Sequence, residues 1–117
     1  GVVFAYAYPD DEGDLLAWAE GCGLLTRNGA ALDVSLAGAA LDAGEAVFVS
    51  QHADRAAEPN ARCVAPGRYR PLTSIAYRFA LTAAGEAVAA VSLATPSAWD
   101  LCAGHALLRG SGGVVID

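Results

Sequence analysis

The sequence has little positive charge, and this scarcity limits the ligands that it can bind by itself. Its 117 residues include 7 Lys and Arg against 13 Asp and Glu, which gives a net charge of -6. A nucleic-acid-binding surface needs a basic field to neutralise phosphates, and no such field extends over this sequence. We therefore do not expect nucleic acid as a ligand. A small phosphorylated molecule is still compatible, provided that cations neutralise it locally.

The sequence also lacks the features of a membrane protein and of a disulfide framework. Its apolar runs end well before the roughly 18 residues that a spanning helix requires, so neither a membrane segment nor a signal peptide is expected. The cysteines are odd in number and form no CxxC pair: Cys22, Cys63 and Cys102. This pattern favours reduced, buried thiols in a cytoplasmic protein.

The composition predicts a single folded domain. Hydrophobic residues make up 55% of the sequence and charged residues 17%, a balance that argues against disorder. A chain of this length can bury a core without disulfides. The sequence contains no Met, begins directly on an apolar strand pattern and stops just after another. We therefore expect residues 1–117 to be part of a larger polypeptide.

The first half of the sequence is predicted to form short strands joined by turns. Residues 1–8 and 15–19 read as the strands of a hairpin around an acidic turn that contains Pro and Gly. Asn28-Gly29 indicates a second hairpin turn. Further short strands are predicted at 24–26, 32–35, 46–50 and 62–65. Residues 36–44 are ambiguous, and 51–60 could be a helix start or a loop.

Helices and strands alternate in the second half. Helices are predicted over 74–84, where Gly85 provides the stop, and over 100–109. A basic loop is predicted at 66–71, and strands are predicted at 87–93 and 114–116. This alternation predicts an α/β fold with a mixed β-sheet flanked by helices.

One segment combines a carboxylate at a helix start with small residues. Asp100 opens the predicted helix, and Ala103 and Gly104 allow another part of the backbone to approach closely. Taken alone, Asp100 is most simply an N-cap or first-turn carboxylate, because such residues are common at helix starts.

The same segment resembles the signature of the inositol monophosphatase family. That signature has Trp-Asp, a small-small-Gly step, a helix, and Gly-Gly before a strand. The matching residues, at the same spacing, are Trp99, Asp100, Ala103, Gly104, Gly112 and Gly113. In that family the Asp binds catalytic magnesium and helps to orient the substrate. The resemblance therefore implies Asp100 as a metal ligand and substrate contact, roles that suit a carboxylate because Mg²⁺ is a hard cation.

The resemblance covers nearly all of the chain but only about half of a family member. Thr73, Ser74 and Ile75 fall where the family has its Gly-Ser/Thr-Ala-Ala substrate loop at a helix start, so they are implied to bind substrate. Four residues near the second hairpin also match: Gly21, Gly23, Asn28 and Gly29. Residues 1–117 thus resemble the family's C-terminal subdomain, which lies in the second half of a layered α/β fold.

One absence limits what the chain is expected to do alone. The family's main metal motif, Asp-Pro-Ile/Leu-Asp-Gly-Thr with an upstream Glu, does not occur in this sequence. A two-metal phosphatase needs several converging carboxylates. The resemblance therefore implies half of a magnesium-dependent phosphomonoesterase, inactive alone, whose partner is the missing N-terminal half. A homodimer is a further expectation.

Two departures from the family pattern keep a second function open. Thr73 replaces a family Gly, and Ser92 falls near a Glu that inositol-specific members use to contact the sugar, which weakens inositol phosphate as the substrate. The alternative is a non-catalytic binding or interaction module that keeps the fold.

Several residues outside the signature are interpreted as structural. An acidic cluster lacks the spacing of an EF-hand and is interpreted as a solvated turn; it comprises Asp10, Asp11, Glu12 and Asp14. His52, near Asp54, is interpreted as a surface residue rather than a general base. Arg68 and Arg70 could steer a phosphate, line a subunit contact or lie in a solvated loop.

Overall fold

The computed structural model describes residues 1–116 and contains two small sheets flanked by helices. The first sheet is antiparallel and contains, in spatial order, β1 (Val2–Ala5), β2 (Asp14–Ala17), β3 (Thr26–Arg27) and β4 (Ala30–Ala31). The second is parallel, with central β5 (Ala46–Ser50) between β6 (Arg68–Leu72) and β7 (Ala89–Ala90). The helices are α1 (Ala57–Cys63), α2 (Ile75–Ala83) and α3 (Ala98–Gly110). The α/β prediction, with both strand orientations flanked by helices, is confirmed.

The first hairpin follows the alternation of apolar residues in β1 and β2. Val3 and Leu16 pair across the strands and are both buried, whereas Val2 and Phe4 face outward. The inward side chains join a core shared with α2 and α3, and β1 forms one edge of the sheet. The predicted hairpin between 1–8 and 15–19 is therefore confirmed, with shorter strands.

The second hairpin turns at Asn28-Gly29, as predicted. Both residues have positive φ, 50° and 82°, which a tight two-residue loop between antiparallel strands requires. The flanking strands predicted at 24–26 and 32–35 are misplaced, because so short a loop pairs the residues directly beside it: Arg27 with Ala30 and Thr26 with Ala31.

The parallel sheet corrects two predictions. Parallel strands require a crossover, so β5 is followed by a 3-10 turn (Gln51–Ala56) and by α1, and the predicted strand at 62–65 is wrong. The predicted loop at 66–71 is also wrong, because β6 pairs with β5 along its whole length. The basic side chains and the proline favoured a loop in the sequence. Both are compatible with β6 because it is an edge strand, where Arg68 and Arg70 reach solvent and a proline is tolerated.

Two later strands are shorter than predicted or missing. Only Ala89–Ala90 of the segment 87–93 pairs as a strand, after which Ser92 Oγ bonds the Ala94 carbonyl in a bend. Within the described chain, 114–116 forms no strand. The edge strand β7 is only two residues long, which leaves little backbone with which a further strand could pair.

The helices predicted at 74–84 and 100–109 are confirmed as α2 and α3, which pack against each other. Gly104 is required at their contact, since a Cβ atom there would lie 2.7 Å from Cβ of Phe79. Leu107 and Ala80 are fully buried beside it. Among residues 1–116, none of the helices combines the length and apolar character that crossing a bilayer requires.

The cysteines are unpaired, as predicted, but exposed rather than buried. Cys22 follows β2, Cys63 ends α1 and Cys102 lies on α3. We expect iodoacetamide to label all three in the native protein, because exposed thiols need no unfolding to react. Counting adducts by mass spectrometry checks this result, and a thiol that reacts only after denaturation would contradict it.

Candidate active site

The residues predicted to bind substrate lie at the junction between β6 and α2. Thr73 and Ser74 are exposed, and half-buried Ile75 is the first residue of the helix. Ser74 caps α2, because its Oγ accepts a hydrogen bond of 3.3 Å from the Tyr77 backbone N–H. Its backbone angles, φ 56° and ψ 113°, are uncommon for a residue with a side chain. The junction therefore presents a helix N-terminus, whose amides suit an anionic oxygen.

A pocket of about 440 Å³ connects this junction to the beginning of α3. Thr73, Ser74 and Tyr77 line one side, Trp99 and Ala103 line another, and residues 2–8 complete it. The structure thus brings two predicted substrate-binding residues beside the Trp that precedes Asp100. Ile75 faces a different cleft, of about 760 Å³ and mainly apolar, between α2, α3 and β7.

Asp100 lies in the first turn of α3 and is half-buried. Its Oδ2 accepts a hydrogen bond of 3.1 Å from the backbone N–H of Ser97, the residue that precedes the helix. This is the geometry of a capping-box carboxylate. Asp100 is therefore next to the pocket in sequence, while one of its oxygens is engaged at the helix terminus.

The carboxylates do not converge on a metal site within the described chain. Residues 1–116 contain no group of three or more His, Cys, Asp or Glu side chains placed to hold an ion. Asp10, Asp11 and Glu12 are exposed on the hairpin turn, as predicted. Asp100 has the oxygen chemistry that Mg²⁺ prefers, but as a single carboxylate it does not form a magnesium site.

Asp14 does not belong to a solvated turn, which corrects that part of the prediction. Its side chain is fully buried and forms a bidentate pair with Arg27, at 2.8 Å (Nε–Oδ1) and 2.7 Å (Nη2–Oδ2). The Tyr77 hydroxyl donates to Oδ2 at 2.6 Å, and Arg27 Nη1 donates to Glu86 Oε1 at 2.6 Å. This buried network joins β2, β3 and α2 to the loop after α2.

The network changes the acidity of its members. Burial by itself raises the pKa of Asp14, but the hydrogen bonds from Arg27 and Tyr77, with the Arg27 charge, outweigh it and hold the pKa below 3.8. Burial and the bond to Asp14 raise the pKa of Tyr77 well above 10.0. Asp14 is therefore a carboxylate and Tyr77 a neutral donor at neutral pH.

The sequence contained a signal for the burial of Asp14, but the acidic residues just before it favoured the interpretation of a solvated turn. Asp14 and Leu16 are two residues apart on one strand, so the alternation that buries Leu16 also turns Asp14 inward. Tyr77 was missed because an aromatic residue on a helix reads as ordinary core, and its partner lies 63 residues away.

The remaining candidates have structural partners. His52 is exposed, with Nδ1 3.3 Å from Ser50 Oγ, while Asp54 accepts from the Tyr69 hydroxyl at 3.3 Å. Arg70 lies over the Phe48 ring at 5.1 Å. Arg68 donates a hydrogen bond from Nε to the backbone carbonyl of Gly44.

Comparison with known proteins identifies the family. The model of the inositol monophosphatase family matches residues 8–117, whereas no curated protein matches the chain. The family is in general metal-dependent, and membership suggests phosphatase activity, a hydrolase reaction. Because the match spans nearly the whole sequence, and the described fold is α/β as the resemblance implied, the chain belongs to the inositol monophosphatase family.

Proposed function

We propose that this chain is the C-terminal half of a magnesium-dependent phosphomonoesterase that acts on a small phosphorylated molecule. One observation carries the proposal: the capped N-terminus of α2 and the Trp99 turn of α3 line the same pocket. Two helix starts at one pocket provide oxygen and amide groups of the kind that phosphate esters need. The family match makes hydrolysis the reaction class.

In this proposal the α2 junction holds the substrate. The Ser74 hydroxyl and the free N–H groups of the first helical turn would bind a substrate oxygen, since they carry the positive end of the helix dipole. Thr73 would line the same loop. Ile75 would support it from the opposite side of the helix, where it contacts the core.

Asp100 would contribute one magnesium ligand and contact the substrate. Its Oδ1 makes none of the protein hydrogen bonds found in the described chain, so that oxygen could face a cation while Oδ2 keeps its bond to Ser97. Magnesium would neutralise phosphate charge, and its remaining ligands would come from the N-terminal half of the same protein.

The exposed side of β1 is the proposed contact for that half. β1 is an edge strand, and its neighbourhood exposes large apolar side chains: Val2 at 62%, Phe4 at 60%, Tyr6 at 82% and Trp99 at 79%. Unpaired strand edges and contiguous exposed apolar patches are usually covered in soluble proteins. The patch surrounds the pocket, so a partner there would also complete the site. A second copy, as in a homodimer, is the competing occupant.

The test compares the isolated chain with the full-length protein. We expect the chain alone to show no magnesium-dependent hydrolysis of a phosphomonoester panel, because it offers one carboxylate where a two-metal site needs several. The full-length protein should hydrolyse at least one ester and lose that activity with EDTA. Turnover by the highly purified chain, at constant specific activity through successive columns, would contradict the proposal.

A non-catalytic binding module is the second candidate. The hydrogen bond from the Ser97 N–H to Asp100 favours it, because a capping role needs neither metal nor substrate. Thr73 in place of the family Gly points the same way. The two candidates differ in the full-length protein: an inactive protein that still binds phosphorylated ligands would support the module.

A further inference from the structure

The buried Asp14 network is connected to the substrate-binding junction through a single residue, Tyr77. At its hydroxyl, Tyr77 donates to Asp14 at 2.6 Å. At its backbone N–H, the same residue donates to Ser74 Oγ at 3.3 Å. Tyr77 is therefore a direct link, one residue long, between the antiparallel sheet and the cap of α2.

The sheet end of this link is rigid. Asp14 is fully buried and held by both nitrogens of the Arg27 fork, and bidentate charged pairs restrict geometry more than single bonds do. Glu86 holds the remaining end of the guanidinium. Tyr77 is also buried, with 3% of its surface exposed, and its ring packs against Tyr8 with centroids 5.7 Å apart. The hydroxyl position is thus fixed from several directions.

The Ser74 end of the link needs such support. A residue with a side chain at φ 56° is held in a sparsely populated region of backbone space. Such conformations cost free energy and persist only when surrounding contacts over-determine them. If the first turn of α2 rotated or slid, Ser74 could relax, and its Oγ and the neighbouring amides would leave their present positions.

We propose that Tyr77, anchored by Asp14 and Arg27, is a positioning residue that holds Ser74 in its binding conformation. Its value for activity rests on the proposed phosphatase function, whereas its mechanical effect on Ser74 does not. Tyr77 acts through Ser74 and need not touch the substrate itself. The network is then part of the site, although its carboxylate lies in the core.

The mechanical effect is tested by amide hydrogen exchange on full-length Tyr77→Phe. The variant keeps the ring and the Asp14–Arg27 pair but loses the hydroxyl. Two amides report on the cap, because Tyr77 N–H bonds Ser74 Oγ and Arg78 N–H bonds the Ser74 carbonyl. We expect both to exchange at least about tenfold faster, as in a local opening. Ala84 N–H, at the other end of α2, should keep its parent rate.

Thr82→Val is the matched control. It removes a buried hydroxyl from the same helix, one that bonds the Arg78 carbonyl rather than the sheet. It should leave the Tyr77 amide and kcat/KM at parent values. Equal acceleration at both ends of α2 in Tyr77→Phe, or none at all, would show a general structural role and overturn the proposal.

A double-mutant cycle supplies the functional readout. We expect kcat/KM to fall about tenfold in Tyr77→Phe and in Ser74→Gly, and to fall no further in the combined variant. Once Ser74→Gly has removed the capping hydroxyl, residue 77 has no cap left to position. Effects that multiply would overturn the proposal. If the full-length parent hydrolyses no phosphomonoester, the proposed function fails, and the exchange experiment alone decides whether Tyr77 holds Ser74.

Discussion

Asp100→Asn is expected to lower kcat of the full-length protein about a hundredfold or more, while the fold stays nearly as stable. The side chain stays the same size and its amide oxygen can still accept the bond from Ser97. Only the negative charge is lost. A neutral amide is a much weaker partner for a hard divalent cation and for charge that develops during phosphoryl transfer.

The stability change separates this role from capping. Loss of a charge near a helix N-terminus costs about 0.3–1 kcal/mol, and Asn is itself a good residue at such positions. Asp33→Asn is the control, since Asp33 is exposed and distant from α3 in sequence. The measurements are kcat and the free energy of unfolding for both variants. Activity of Asp100→Asn within about threefold of the parent, under about 1 kcal/mol in barrier, would remove Asp100 from the site.

Asp14→Ala is expected to have the largest effect on stability, with a loss of about 3 kcal/mol in the free energy of unfolding. The substitution leaves Arg27 without its bidentate partner and the buried Tyr77 hydroxyl without its acceptor. Arg27 keeps Glu86 and is 25% exposed, which places the loss at the lower end for a broken buried pair. Urea denaturation at pH 7 measures it.

The control for this variant comes from the acidic turn that precedes β2. Asp10→Ala removes an exposed carboxylate four residues earlier and should change the free energy of unfolding by less than about 0.5 kcal/mol. If the two substitutions cost the same, Asp14 would be a turn residue with no structural partner, contrary to the observed network.

The pH dependence follows from the same contacts. Because the pKa of Asp14 in the folded chain lies below 3.8, folding favours its ionised form. The resulting stabilisation is complete above the unfolded pKa, near 4, and is lost as the pH falls through the folded value. Urea titrations between pH 6 and pH 2.5 should show the parent losing stability below about pH 4. Asp14→Asn should be less stable at pH 6 but show a shallower decline.

Features that depend on residues close together in the sequence could be predicted without the structure. The Asn28-Gly29 turn, the first hairpin and helices α2 and α3 all arise from local backbone preferences and from the spacing of apolar residues. The resemblance on Trp99-Asp100 and on Thr73-Ser74 also placed two candidate segments at helix starts. Each of these signals is complete within about a dozen residues.

The errors lie where partners are distant. β6 looked like a basic loop because an edge strand may carry arginines, and only its pairing with β5 made it a strand. The segment 114–116 had a strand composition but no long edge beside it in the described chain. The cysteines were predicted to be buried from their number and spacing, although burial depends on which face of an element meets the core.

The α/β class, the helix starts and the family resemblance could be inferred without a structure, since they rest on local propensity and on short motifs. Which groups satisfy Asp14 in the core depends on the tertiary structure, because Arg27 is 13 residues away in sequence and Tyr77 is 63. The tertiary structure also decided that the starts of α2 and α3 share one pocket. A buried charge is stable only when other groups pair with it, and here those groups lie too far away in sequence for a local pattern to specify them.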